Sequence, residues 1–151
     1  MGAVDLGAAG PCILVVEDDF DIREILRDTL ELAGYRVETA ANGKDALEVI
    51  SRTSPCGIML LDLMMPVMSG WQLMTHLRED PRLSQIPVCV MSAMMPELTQ
   101  EKRWFLRKPF ELEAVLAIVR LLCRSVCPYR GHCARASRLA DGPRDSTDSP
   151  P

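Results

Sequence analysis

The stretch LLDLMMPVMSG, Leu60–Gly70, ends an apolar run on a single carboxylate, Asp62, and follows it closely with Pro66 and Gly70. A lone charge taken out of water is among the costliest groups a fold can bury. Asp62 at the tip of a core strand therefore requires partners, and the rest of the chain supplies them in a regular pattern.

Upstream, CILVVED (Cys12–Asp18) is a short apolar run rich in β-branched residues that ends in acids, the pattern of a strand buried on both faces. FDIREILRDTLELAGY then spaces Ile22, Ile25, Leu26, Thr29, Leu30 and Ala33 along one helical face, with Gly34 as the stop. YRVETA (Tyr35–Ala40) alternates as a second strand, and NGKDALEVISR opens on Asn42 as a cap before Ala46, Leu47 and Ile50. Ile58 to Leu61 reads as the third strand. A turn through Met65–Ser69 leads into a helix with Trp71, Met74 and Leu77 inward, ending near Asp80–Pro81. IPVCVMSA (Ile86–Ala93) is a fourth strand, and WFLRKPF (Trp104–Phe110) holds a fifth. ELEAVLAIVRLLCRSV closes the pattern as an amphipathic helix through Leu112, Val115, Leu116, Val119, Leu122 and Cys123.

Strands alternating with helices predict an α/β domain, a doubly wound five-stranded parallel sheet in a three-layer α/β/α arrangement. Ligands of such domains collect beyond the carboxyl ends of the strands, where strand order reverses. The strand ends here carry Glu17 and Asp18, then Asp62, Ser92 and Lys108. Three carboxylates at one edge repel and push at least one pKa up, an arrangement that makes sense around a divalent cation. Mg²⁺, hard and oxygen-seeking, is the natural choice. A carboxylate beside a metal and a lysine can also be a nucleophile toward phosphorus, with Lys108 and the Ser92 hydroxyl serving the other phosphoryl oxygens.

Length and composition agree with one such domain. The 151 residues, 48% hydrophobic and 25% charged, suffice for a single core. A formal net charge of −4 gives no reason to expect a phosphate backbone as partner, so no direct nucleic-acid contact is expected. No apolar run approaches the roughly 18 residues needed to span a bilayer. The start, MGAVDLGAAGP, lacks the parts of a secretory signal, so the expectation is a cytoplasmic protein with no membrane partner. Without that signal the six cysteines do not imply disulfides, and Cys56 and Cys89 read as core residues.

ILVVEDDFDIRE, LLDLMMPVMSG, VCVMSA and FLRKPF resemble, in order and spacing, the signature segments of the receiver domain of two-component response regulators, over about residues 12–125. The resemblance implies a flavodoxin-like sheet of order 2-1-3-4-5. It implies Glu17 and Asp18 as the acidic pair, Asp62 as phosphoacceptor and Met64 as the residue whose backbone carbonyl completes the Mg²⁺ shell. Ser92 matches the family's hydroxyl, Phe105 its aromatic switch, and Lys108 its lysine, followed by Pro109 in what is typically a cis bond. Asp19 reads instead as the start of the first helix.

The implied cycle begins with a phosphohistidine on a sensor histidine kinase or histidine phosphotransfer protein, which donates to Asp62 with Mg²⁺ present. Ser92 and Phe105 then move toward the phosphoryl group, a downstream effector protein reads the altered surface, and water hydrolyses the acyl phosphate. Such a chain is a phosphoacceptor that assists its own phosphotransfer rather than an enzyme. Three rivals stand beside this reading. A degenerate receiver would bind partners without phosphorylation. An aspartyl phosphatase of the haloacid dehalogenase type would carry a second aspartate where Met64 stands, and a flavodoxin-like carrier would find FMN phosphate repelled by EDDFD.

Two segments depart from the pattern. Positions 93–107 must hold a loop, a helix and most of a strand, whereas a crossover with its helix normally needs at least about 10–12 residues. The fourth helix is therefore expected to be short, starting near Pro96 or Glu97 and reaching Lys102. In the family that helix forms part of the output and dimer surface, so its shortness argues against carrying that dimer mode over and leaves a homodimer through the first helix as the alternative. The expected division is a flexible segment 1–11, a receiver domain 12–127 and a disordered tail 128–151, with no effector domain following: a stand-alone receiver. Cys123, Cys127, His132 and Cys133 match none of the common zinc spacings, and the nearby arginines read as a solvated face.

Overall fold

The computed structural model describes residues 12–52, 56–93 and 104–125. Its strands are β1 (Cys12–Val16), β2 (Arg36–Ala40), β3 (Cys56–Asp62), β4 (Val88–Ser92) and β5 (Trp104–Arg107). Its helices are α1 (Phe20–Leu32), α2 (Gly43–Arg52), α3 (Gly70–Glu79) and α4 (Leu112–Ser125). Every strand pair is parallel, in the order β2-β1-β3-β4-β5, as the resemblance implied. The short helix expected near 96–102, the segment 1–11 and the tail 128–151 lie outside the described residues.

Side chains alternate across the sheet with a period of two, and both faces are covered, which is why the strands read as nearly unbroken apolar runs. Ile13, Val15, Ile58, Leu60, Cys89 and Met91 point to one face, where Leu26 and Leu30 of α1 and Val115, Val119 and Leu122 of α4 meet them. Leu14, Val16, Met59, Leu61 and Val90 point to the other, against Ala46 and Val49 of α2 and Leu73, Met74 and Leu77 of α3. Each large aliphatic side chain so buried contributes about 1.5–3 kcal/mol. The two helical layers thereby hold the sheet rigid beneath its carboxyl edge.

Polar punctuation sets the helix ends. The Asp19 carboxylate accepts a hydrogen bond from the Ile22 N–H at 3.0 Å and caps α1, the role expected of it. Gly34, at φ 94°, lies in the left-handed region where a side chain would be strained, and it ends the turn after α1. Asn42 Oδ1 accepts from the Asp45 N–H at 2.9 Å at the start of α2. Ser69 and Gln72 exchange hydrogen bonds in a capping box at the start of α3.

Several expectations require correction, among them the third strand, which runs Cys56–Asp62 rather than Ile58 to Leu61. Trp71 is 44% exposed rather than inward, and Leu73 takes its place beside Met74 and Leu77. The cause is Gly70, whose N–H donates to the Leu63 carbonyl at 3.0 Å. With Gly70 against β3, the next residue is rotated about 100° outward, as one step of a 3.6-residue turn requires. Ile25 likewise lies off the buried stripe of α1, and Leu112 off that of α4; both are exposed. Finally, β4 begins at Val88 rather than Ile86, because the Ile86 N–H donates to the Leu83 carbonyl and belongs to the preceding turn.

Candidate functional site

Strand order reverses between β1 and β3. The chain leaves β1 for β2 on one side and returns to β3 on the other, so a crevice opens at their carboxyl ends. Glu17 and Asp18 follow β1 directly, and Asp62 is the last residue of β3. Ser92 ends β4, and Lys108 follows β5. Glu17, Asp62 and Ser92 are the buried polar residues of the described chain, whereas Asp18 is exposed at the mouth.

Carboxylate oxygens of Glu17, Asp18 and Asp62 lie within 4.8 Å of one another. Lys108 reaches into this cluster from β5. Its Nζ donates to Glu17 Oε2 at 2.6 Å and forms an ion pair with Asp62 Oδ2 at 3.6 Å. The backbone supplies the remaining donors: the Asp19 N–H to Glu17 Oε1 at 3.2 Å and the Met64 N–H to Asp62 Oδ1 at 3.2 Å. Ser92 joins through the main chain, its carbonyl accepting from the Lys108 N–H at 2.9 Å. The Lys108–Pro109 bond is cis, as expected.

One ammonium does not offset three crowded acids. Burial, reinforced by the charge of Asp62, pushes the Glu17 carboxyl up to about 7 against the pull of Lys108. Burial also raises Asp62 above the ordinary carboxylate range, although Lys108 and the Met64 N–H work the other way. Lys108 itself is held up: burial would lower it, but Glu17 and Asp62 outweigh that effect. The cluster is thus short of positive charge, and its donors are all hard oxygens. That set fits a divalent cation of the Mg²⁺ or Ca²⁺ type better than a softer metal.

The loop from β3 to α3 forms the rim. Met64 turns its side chain to solvent, 71% exposed, and serves the site through its backbone. The Met68 N–H donates to the Pro66 carbonyl at 2.8 Å, closing a three-residue turn with Val67 at φ 67°. A β-branched residue in that conformation is strained, and Val67 buries little in return. Val67→Gly is therefore expected to stabilise the fold by about 1 kcal/mol. Urea unfolding checks this through a higher midpoint at unchanged slope, and a lower midpoint would count against it.

Phe105 is set apart from this network. On β5 it pairs with Val90 of β4 and is half-buried in the core layer of α2 and α3. One residue that the strand-end pattern did not single out does reach the loop of the acidic pair: Arg23 Nη1 donates to the carbonyls of Glu17 at 2.9 Å and Asp18 at 3.4 Å. The available signal was an arginine near the start of a helix, where a cation opposes the helix dipole.

The response regulator receiver domain model matches residues 13–120. Transcriptional regulatory protein PrrA of Mycobacterium leprae (strain TN) is 36% identical over 148 residues, which cover 93% of this chain and 60% of PrrA. Among solved structures, chemotaxis protein CheY4 of Vibrio cholerae superposes with a TM-score of 0.69 at 30% identity, covering 76% of this chain and 99% of CheY4. Response regulator protein TrrA of Thermotoga maritima, solved in complex with Mg(2+)-BeF, gives 0.65 at 27% identity, covering 74% of this chain and 98% of TrrA. The chain spans about 60% of the length of PrrA, a relative named as a transcriptional regulator, so the expectations of a stand-alone receiver and of no nucleic-acid contact find no support there. Among the described residues no helix is long and apolar enough to cross a membrane. From the match over residues 13–120, together with the fold and the acidic edge, the chain belongs to the response regulator receiver domain family.

Proposed function

We propose that Asp62 accepts a phosphoryl group from a phosphohistidine on a sensor histidine kinase or histidine phosphotransfer protein, and that the chain signals in its phosphorylated state through protein contacts with a downstream effector. The observation that carries this reading is the convergence of Glu17, Asp18, Asp62 and Lys108 at the point where strand order reverses. Asp62 Oδ1 is held by the Met64 N–H, and Oδ2 faces Lys108.

In the transfer, a carboxylate oxygen of Asp62 attacks phosphorus as the P–N bond breaks. The electron pair stays on the imidazole nitrogen, which takes up a proton. Lys108 stabilises charge on the transferring group, and the Ser92 hydroxyl donates to another of its oxygens. Hydrolysis reverses the modification: water attacks phosphorus, phosphate leaves, and the Asp62 carboxylate is regenerated. The chain is thus a phosphoacceptor that turns over its own modification rather than an enzyme acting on a separate substrate.

Glu17, Asp18, Asp62 and the backbone carbonyl of Met64 would hold Mg²⁺, a choice supported by the all-oxygen donor set and by the Mg(2+)-BeF complex of TrrA. When bound, it neutralises charge on the phosphoryl oxygens as transfer proceeds. Phe105, on β5 beside Val90 of β4, is the aromatic proposed to turn with Ser92 once Asp62 is modified.

The test is intact-protein mass spectrometry after incubation with acetyl phosphate, with and without Mg²⁺, for wild type and Asp62→Asn. The expected result is a Mg²⁺-dependent gain of one phosphoryl group that the variant lacks. A folded wild-type protein that gains nothing, even in rapidly quenched samples, would instead indicate a binding module that works without phosphorylation.

A further inference from the structure

Arg23 stands on α1 beside the acidic pair, and among the described residues its side chain meets backbone carbonyls and a ring rather than the acid side chains of the site. Its Nη1 donates to the backbone carbonyls of Glu17 and Asp18 at 2.9 and 3.4 Å. Its guanidinium carbon lies 5.4 Å from the centre of the Phe20 ring, a packing that restricts where the side chain can sit. The main chain of the same short loop is tied down again on either side. The Glu17 N–H donates to the Ala40 carbonyl at 3.0 Å, and the Arg23 N–H donates to the Asp19 carbonyl at 3.0 Å. Residues 17–19 are thus fixed between the end of β1 and the first turn of α1, with Arg23 holding the two carbonyls in between.

Helix stability does not account for this placement. A cation near a helix N-terminus opposes the helix dipole and is unfavourable there. Nor does direct attraction of a cation account for it, because a positive charge on this loop repels one. What the contacts do is fix the peptide planes after Glu17 and Asp18, and with them the directions in which both carboxylates leave the backbone.

We propose that Arg23 is a positioning residue for the cation site, holding the Glu17–Asp18 loop in the conformation that presents both carboxylates together. The proposal rests on the reading of that cluster as a divalent-cation site. Outer groups that orient metal ligands typically alter affinity about 10- to 100-fold when removed. Electrostatics alone predicts the opposite sign: deleting a nearby positive charge should tighten binding of a dication. The direction of the change therefore separates orientation from charge.

The experiment is calorimetric titration of the full chain with MgCl₂ at fixed ionic strength, for wild type, Arg23→Ala, Arg23→Lys and Arg27→Ala. Arg27 pairs with Glu24 on the same helix, so its loss removes an equal charge and leaves the loop contacts in place. Arg23→Ala is expected to bind Mg²⁺ about tenfold more weakly. Arg23→Lys should regain part of the loss through its remaining donor, and Arg27→Ala should bind as tightly as wild type or slightly tighter. Urea midpoints measured alongside keep affinity separate from folding. Equal or tighter binding by a folded Arg23→Ala would overturn the positioning role while leaving the cation site intact. If Arg23→Ala does not fold, Arg23→Met, which keeps the stem and loses the donor, takes its place: equal or tighter binding overturns the role, and weaker binding supports it. Wild-type protein that binds no Mg²⁺ would overturn the cation site and the inference together.

Discussion

Gly70→Ala is expected to destabilise the protein by about 3 kcal/mol, the upper part of the usual cost of overpacking. A Cβ at Gly70 would press on the carbonyl oxygen of Asp62 and stand 2.8 Å from Leu63 Cα and 3.1 Å from the Asp62 carbonyl carbon. These are backbone atoms at the end of β3, so no side chain can rotate away. The start of α3 would have to lift, breaking the hydrogen bond from the Gly70 N–H to the Leu63 carbonyl. Helix propensity alone argues the other way, favouring Ala over Gly by about 1 kcal/mol, so the sign of the effect is informative. Gly43→Ala is the milder case: its Cβ would meet Met68 side-chain atoms at 2.7 and 2.9 Å, which a flexible methionine can withdraw, and of the backbone only the Met68 carbonyl oxygen at 3.0 Å among the nearest atoms. Urea unfolding should show a much larger loss at Gly70 than at Gly43. Equal midpoints for Gly70→Ala and wild type would mean that α3 is not pinned to the end of β3.

The strand that carries Asp62 was recognisable because a carboxylate ends its apolar run, and the same signal marked Glu17 and Asp18 after β1. Alternating periods of two and 3.6 residues were enough to place the sheet between two helical layers. Strand order is a matter of long-range pairing that no local period encodes, so it came from family resemblance. Side-chain partners were hidden for the same reason. Lys108 lies closer to Glu17, 91 positions away in sequence, than to Asp62. That choice depends on where β5 docks, which spacing along the chain does not report. Trp71 shows the limit of counting apolar residues: it fits a helical stripe on paper, but Gly70 must face β3 and turns it outward. Arg23 donates to backbone carbonyls, and its one signal, a cation set against the helix dipole, does not name a carbonyl as the partner.

The metal-free protein is expected to lose stability as the pH rises, opposite to the usual behaviour of a paired carboxylate. Glu17 is pushed from an ordinary value of 4.5 up to about 7, first by burial and then by Asp62, with Lys108 opposing. Because the folded state holds the proton more tightly, stability from this group is fully present below the unfolded pKa and is lost through the folded one. At about 1.4 kcal/mol per pKa unit the contribution reaches at most about 3 kcal/mol across that window. Asp62, raised by burial as well, adds to the same slope, and Lys108 stays charged throughout and offsets none of it. Urea midpoints in EDTA should therefore fall between about pH 5 and pH 8. Glu17→Gln should flatten much of that fall, because the amide cannot ionise. On the proposed cation site, Mg²⁺ should stabilise wild type strongly at the alkaline end and little at the acid end, where protons compete for the same oxygens. A midpoint that rises with pH in wild type, or a fall that Glu17→Gln leaves unchanged, would show that the buried acids are compensated by more than Lys108.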